Sequence, residues 1–307
     1  MRIIEHQYAE NDATRRAVMS LSSMMPTGDG VSVLARREAY RLWCRQFIIE
    51  HDVKVATVNA DGTPARWITV PESKPGRVLL YLHGGAYVVG GSEGHVEMVS
   101  RFARSCGAAA LLIDYPLAPE NPFPAARRSS TRAFQWLLSQ GYEASQVTIC
   151  GESAGGGLTI STAVAVRDAA LPLPGSLVAM SPWVDLTCTN PAFETGNDSF
   201  VSRESLKASA GHYLGTTPAT DPSASPLFAD LTGLPRLLIQ VGSQEVLRGD
   251  AEALARAAEA VGVEVSLSVF EGMPHLWHHF GSQLEASVDA LVEVADHVHG
   301  IPRGESW

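Results

Sequence analysis

The chain is poor in cysteine. Four in 307 residues, Cys44, Cys106, Cys150 and Cys188, stand far apart with no CxxC pair or metal-ligand spacing. That pattern excludes a disulfide-stapled scaffold and a cysteine metal centre. Cys106 and Cys150 lie in apolar stretches that suit buried thiols, and a reduced, cytoplasmic protein is the expectation. Long apolar runs are missing too: none approaches the roughly 18 residues of a membrane span. Met1 to Met25, studded with Glu5, Asp12, Arg15 and Arg16, has no apolar signal core. Positive charge is short, with 23 Lys and Arg against 33 Asp and Glu. A net charge of −10 and a pI near 5.5 argue against nucleic acid as a partner. Repeats and low-complexity segments are absent. The remainder, 45% hydrophobic and 18% charged, is ordinary globular composition, with chain enough for one large core and an accessory unit.

The stretch that organises the rest is Val147-Thr148-Ile149-Cys150-Gly151-Glu152-Ser153-Ala154-Gly155-Gly156. A short β-branched run meets a Gly-x-Ser-x-Gly signature, and a helical stretch follows from Ala154 to about Ala169. Strand, sharp turn and helix lift the apical serine clear of a sheet, in a strained backbone conformation. Gly151 and Gly155 stand where a Cβ would collide across so tight a corner. Ser153 is therefore the candidate nucleophile.

Around it, short apolar strands alternate with amphipathic helices. Strands are expected at Arg77 to Leu82, Ala109 to Ile113, Ser176 to Met180, Leu237 to Val241 and Val263 to Phe270. A hairpin turning at Asp61-Gly62 spans Val53 to Val70. The alternation predicts an α/β fold with a mostly parallel central sheet flanked by helices. The last helix carries Leu284, Val288, Leu291, Val292 and Ala295 on one face. The first fifty residues read as helical, with Tyr40, Trp43, Cys44 and Phe47 in one apolar stripe. A long excursion follows the sixth strand, with a helical piece near Ser202 to Leu214. Residues 1–50 and about 187–220 are thus expected to form a helical cap, over a catalytic core of about 51–186 and 221–307.

A serine nucleophile needs an oxyanion hole, a base and an acid. His83-Gly84-Gly85-Ala86-Tyr87 follows the strand ending at Leu82, and its glycines let backbone amides approach a substrate oxygen. Gly84, Gly85 and Ala154 are the expected donors, with His83 bracing their loop. The base should lie in the loop after the last strand, where Gly272-Met273-Pro274-His275 puts His275. His278 and His279 are rivals with a structural or solvent-facing role, and His95 sits near a helix start. For the acid, the exit loop after Leu237 to Val241 favours Glu245. Asp250 is the runner-up, explained more economically as an N-cap, and Asp185 and Asp221 sit in earlier segments. Tyr40, Trp43, Phe47, Tyr87, Trp183, Phe200, Tyr213 and Trp277 could all reach a pocket. Of these, Tyr40, Tyr87, Trp183 and Phe200, with Ala86, are the expected substrate contacts.

His83-Gly84-Gly85, Asp114-Tyr115-Pro116-Leu117-Ala118-Pro119-Glu120, Gly151-Glu152-Ser153-Ala154-Gly155-Gly156 and Gly272-Met273-Pro274-His275 occur in this order. Together they resemble the bacterial hormone-sensitive-lipase family of carboxylesterases, from about residue 65 to the C-terminus. The resemblance implies an α/β-hydrolase core under a helical cap, hydrolysing short acyl esters without cofactor or metal. It carries nucleophile, acid and base onto Ser153, Glu245 and His275. The family commonly has Asp where Glu152 stands, Arg where Pro116 stands and Gly where Ala86 stands. Its members often pair through an edge strand and the final helix, so a homodimer is compatible with it. Ring opening of a lactone would use the same groups. Some plant hormone receptors resemble the family but lack the catalytic histidine, which makes a non-catalytic ligand-binding protein the contrasting reading. Activity should fall below neutral pH as His275 protonates.

Overall fold

The structure is a computed structural model that describes residues 1–8, 31–195, 198 and 200–301. Among these residues, nine strands form one sheet in the order β1-β9-β8-β7-β6-β4-β5-β3-β2. The hairpin β2 (Lys54–Ala60) and β3 (Thr63–Thr69) turns at Asp61-Gly62, and β3 pairs antiparallel with β5 (Ala109–Ile113). From β5 onward the ladder is parallel, through β4 (Val78–Leu82), β6 (Val147–Glu152), β7 (Ser176–Met180), β8 (Leu237–Gly242) and β9 (Val265–Phe270).

Period-two alternation explains why the sheet is buried on both faces. In β4, Val78, Leu80 and Leu82 join one apolar cluster, and Leu79 and Tyr81 join the other. The first cluster is completed by α3 (Ala125–Ser139), α4 (Ala154–Asp168) and α7 (Arg248–Ala260). The second is closed by α2 (Ser92–Cys106) and α8 (Glu285–His299). All four cysteines are buried and free.

Three expectations change here. Residues 2–6, taken with the N-terminal helical region, instead form β1 (Arg2–His6), an edge strand running parallel to β9. Counting β1, the long excursion follows the seventh strand. Residues 9–30, part of the expected cap, lie outside the described residues. The last helix keeps only part of its expected face inside: Leu284 and Ala295 are buried and Leu291 packs on the core, but Val288 and Val292 are 42% and 51% exposed, and Ala286, Ser287, Ala290, Glu293 and Val294 also face inward. A charged residue breaks the apolar stripe because polar partners await it inside. Glu293 accepts from Gln240 Nε2 at 2.8 Å and pairs with His6 Nε2 at 2.6 Å.

The helix α1 (Val33–Cys44) begins at Ser32, whose hydroxyl accepts from the Ala35 amide, and buries Tyr40, Trp43 and Cys44. Phe47 lies past its end yet packs edge-on against Trp43, ring centres 5.1 Å apart. The excursion contains α5 (Ala192–Thr195) and α6 (Arg203–Leu214), the latter opened by a reciprocal Ser202–Ser205 cap. Helices α1 and α6 meet: Arg36 donates to Ser209, and Trp43 packs against Phe200.

Candidate active site

Ser153 caps the helix α4 with φ 56° and ψ −120°, a left-handed backbone region costing about 1–3 kcal/mol for a residue with a Cβ. Its amide donates to Met180 O at 2.9 Å, and its carbonyl accepts from Trp183 N at 2.9 Å. The end of β7 and its exit loop therefore hold the strained residue through both its amide and its carbonyl. A Cβ on Gly151 or Gly155 would run into the Leu82 carbonyl oxygen, so β6 could not approach β4 this closely with any other residue.

His275 follows β9 in a loop and points its Nε2 at Ser153 Oγ, 3.0 Å away. Its Nδ1 lies 2.8 Å from Glu245 Oε2. The other oxygen of Glu245 accepts from Ser181 Oγ at 2.7 Å and from Gly242 N at 2.6 Å, which fixes the carboxylate from β7 and β8. All three side chains are buried. Burial alone would pull the imidazole pKa down, but the hydrogen bond and charge of Glu245 outweigh it, leaving His275 above the ordinary histidine value. Asp198 brings a second carboxylate within 4.8 Å of the Glu245 and His275 ligand-type atoms. It accepts from the amides of Phe200 and Val201, and burial pushes its pKa up to about 6.

The oxyanion loop departs from expectation at one position. The Gly84 amide donates to Glu152 Oε1 and is taken. Among the described residues, no protein acceptor meets the amides of Gly85, Ala86 or Ala154. Gly85 and Ala86 both have positive φ, 112° and 52°, and both line the same cavity as Ser153. The reason Gly84 differs lies in β6: the carboxylate one residue before the nucleophile points back under the loop. Glu152 also accepts from Tyr81 OH at 2.7 Å and pairs with His95 Nε2 at 2.9 Å. Burial would raise the Glu152 pKa, but His95, Tyr81 and Gly84 together hold it below the usual carboxylate range. Burial likewise works against the His95 imidazolium, and Glu152 overcomes it, raising that pKa. His83 braces the loop as expected, its Nδ1 2.7 Å from Gly84 O and its ring stacked 4.1 Å from Tyr115. Tyr115 OH donates to His83 O at 2.6 Å, which gives the Asp114–Glu120 motif a bracing role.

Ser153 and His275 open onto a cavity of about 710 Å³ lined by α1, the oxyanion loop and α6. Of the five expected substrate contacts, Tyr40, Ala86 and Phe200 line it. Tyr87 and Trp183 do not. Tyr87 is buried face to face with Tyr213, ring centres 3.8 Å apart, and Trp183 Nε1 donates to Asp185 O. Both strengthen the packing behind the loop. Trp43, Phe47, Tyr213 and Trp277 also lie outside the cavity wall.

The rival acids and bases have other work. Asp250 is no N-cap; it lies in the first turn of α7, buried. Its carboxylate accepts from Val184 N, Asp185 N and Asn190 Nδ2, tying down the start of the excursion. Asp185 accepts from Thr187, and Asp221 from Ser223, within their own turns. His278 and His279 are buried rather than solvent-facing, in a 3₁₀ segment (Trp277–Gln283). His278 meets Gln240 at 3.2 Å, and His279 packs against Trp43. His279, His95 and Glu152 are donors of metal-ligand type within 4.8 Å of one another, though His95 and Glu152 are already bonded together. Sequence reasoning missed Ser181, Asp198 and the contacts of Glu152. Only Ser181, directly after a strand end, carried a positional signal.

Residues 79–279 match the family model described as alpha/beta hydrolase fold. The chain is 43% identical over 218 residues to an acetyl-hydrolase of Streptomyces hygroscopicus, covering 70% of this chain and 73% of the relative. It is 32% identical over 256 residues to an esterase of Acinetobacter venetianus, covering 82% and 84% respectively. A solved esterase from the bacterial hormone-sensitive lipase family superposes with a TM-score of 0.92 at 37% identity, covering 96% of this chain and 100% of that one. No helix among the described residues is long and apolar enough to cross a membrane. The chain belongs to the bacterial hormone-sensitive-lipase family of α/β-hydrolase esterases and is a carboxylic ester hydrolase.

Proposed function

We propose that the protein hydrolyses short-chain acyl esters through an acyl-enzyme on Ser153. The observation that carries this reading is the hydrogen-bonded line Glu245–His275–Ser153, spaced 2.8 and 3.0 Å and ending in the cavity beside three unpartnered amides. Ser153 Oγ attacks the ester carbonyl carbon while His275 Nε2 takes its proton. Glu245 holds the Nδ1–H tautomer and stabilises the imidazolium. The negative charge on the former carbonyl oxygen falls to the amides of Gly85, Ala86 and Ala154, with Ala86 in the place first expected of Gly84. Collapse expels the alcohol, protonated by His275, and water repeats the sequence on the acyl-enzyme. Helix α1 and the 187–220 excursion serve as the cap that shapes the substrate space. The Ala86 methyl group narrows that space beside the reacting carbon. The acetyl-hydrolase relative fits a short acyl group.

The test is hydrolysis of p-nitrophenyl acetate, butyrate and decanoate by wild type and Ser153→Ala. Short esters should turn over fastest, and the variant should lose roughly 10⁴-fold or more in kcat. Equal activity in the variant would remove Ser153 from the mechanism, and faster turnover of the decanoate would remove the short-chain assignment.

A further inference from the structure

Two adjacent arginines near the start of α1 are used very differently. Arg37 makes four hydrogen bonds: its fork meets Glu120 at 2.7 and 2.9 Å, and two further donors reach the carbonyls of Val88 and Ala118. Arg36 makes one hydrogen bond among the described residues, to Ser209 Oγ at 3.1 Å. It is half-buried and lines the same cavity as Ser153 and His275. Arginine carries five N–H donors in a rigid planar fork that matches a carboxylate, so most of this fork stands unused. Burial lowers its pKa, and among the described residues no carboxylate is paired with it. In a chain with ten more acids than bases, a counter-ion would be easy to supply from within.

The orientation of Arg36 is nevertheless fixed. Ser209 is fully buried, donates its hydroxyl proton to Ser205 O at 2.9 Å and offers its lone pair to the guanidinium. The same cavity is lined by apolar Val33, Val89, Phe200 and Leu206 and by polar Ser202, Ser205 and His212. Glu204 lines the same cavity but stands exposed, with no ion pair to Arg36. A guanidinium that no carboxylate pairs among the described residues, in a cavity that also offers apolar surface, matches a ligand with one negative charge and an apolar part.

We propose that the substrates of this esterase carry a carboxylate, which the Arg36 fork binds from the cavity wall while Ser153 attacks the ester. The proposal rests on the esterase reading of Ser153. It adds that the acid or alcohol portion of the ester is itself an anion.

Two matched pairs of esters test it. The first pair is 4-acetoxybenzoate and its methyl ester, with the charge on the leaving side. The second is mono-p-nitrophenyl glutarate and its methyl ester, with the charge on the acyl side. For each pair the readout is the ratio of kcat/KM, anionic over neutral, in wild type, Arg36→Gln and Arg36→Lys. Because the ratio is internal to each preparation, a partly folded variant does not distort it. In at least one pair the ratio should fall about ten- to a hundredfold in Arg36→Gln, the range of a charge-assisted hydrogen bond. The loss should sit mainly in KM. Arg36→Lys should retain part of the preference, since it keeps the charge and loses the fork. Added salt, about 0.5 M, should shrink the wild-type ratio. The pair that responds assigns the side on which the anion sits. Ratios unchanged within about threefold in both pairs would overturn the proposal, since even a weak charge-assisted contact exceeds that. Failure of the underlying esterase reading looks different: the neutral esters would not be cleaved, or Ser153→Ala would cleave them equally well.

Discussion

Two buried carboxylate–imidazole pairs flank Ser153, and at the level of the pair they are nearly alike. Glu245 and His275 approach to 2.8 Å, Glu152 and His95 to 2.9 Å. In both, burial is opposed by the partner charge, and the histidine ends above its ordinary pKa. The difference lies in what each imidazole does with its other nitrogen. His275 turns Nε2 to a serine on a cavity, whereas His95 spends Nδ1 on the Gly91 carbonyl and keeps Nε2 between Glu152 and Tyr40. One proton has somewhere to go. The other pair is closed in by Tyr40, Tyr81 and the Gly84 amide, and what it can govern is the position of the oxyanion loop. A carboxylate–histidine pair becomes a base through its outlet rather than through its own strength.

The sharpest way to break the comparison is to remove each imidazole in turn. His275→Ala should lower kcat on p-nitrophenyl acetate by about 10⁴-fold, because proton transfer to and from the serine is lost. If His95→Ala cost as much with the fold intact by circular dichroism, the two pairs would not be functionally distinct. Next in size is Glu152→Gln. An amide keeps the shape and one acceptor oxygen but loses the charge that holds Gly84, Tyr81 and His95 together. The amides of Gly85 and Ala86 would drift from the oxyanion position, and kcat should drop about 10- to 100-fold with KM little changed. Restoration by Glu152→Asp, the residue common in this family, would show that charge matters more than reach. A rise in KM with unchanged kcat would place Glu152 in ground-state binding and sink its role behind the loop.

How much of this was readable beforehand follows from the same contrast. Local chain geometry announces Ser153, since glycines two residues either side of a serine between strand and helix have few other uses. The placement of His275 and Glu245 in line with Ser153 was readable because strand order puts their exit loops beside the elbow. The Gly84 amide was misjudged because the sequence names the glycines and is silent on which amide a distant carboxylate will claim. Glu152 reaches it only once β6 lies against β4, and no spacing encodes that. Tyr87 and Trp183 failed as pocket residues for a related reason: an aromatic beside a site can face the cavity or support the wall, and packing against Tyr213 decided. The last helix was readable in part, at Leu284, Leu291 and Ala295; its inward Glu293 was not, because a buried carboxylate is acceptable only when Gln240 and His6 meet it.

The smallest expected effects come from pH, and there the two pairs should part in opposite observables. In the proposed mechanism His275 must be neutral to accept the serine proton. Its pKa is raised, so kcat/KM should fall about tenfold per pH unit below a midpoint above the ordinary histidine value. His95 should leave the rate profile alone and act on stability instead. A histidine with a raised folded pKa contributes stability that is fully present below its unfolded pKa and lost as pH rises through the folded one. Glu152, with a lowered pKa, contributes stability above its unfolded pKa that is lost as pH falls through the folded one. The pair thus stabilises most in mildly acidic solution, between the two unfolded values. The thermal midpoint of Glu152→Gln should lie about 2–6 °C below wild type there. The gap should narrow toward alkaline pH, where His95 loses its proton. A gap that stays constant from pH 5 to 9 would mean that Glu152 holds the loop by hydrogen bonds alone and that His95 carries no charge in the folded protein.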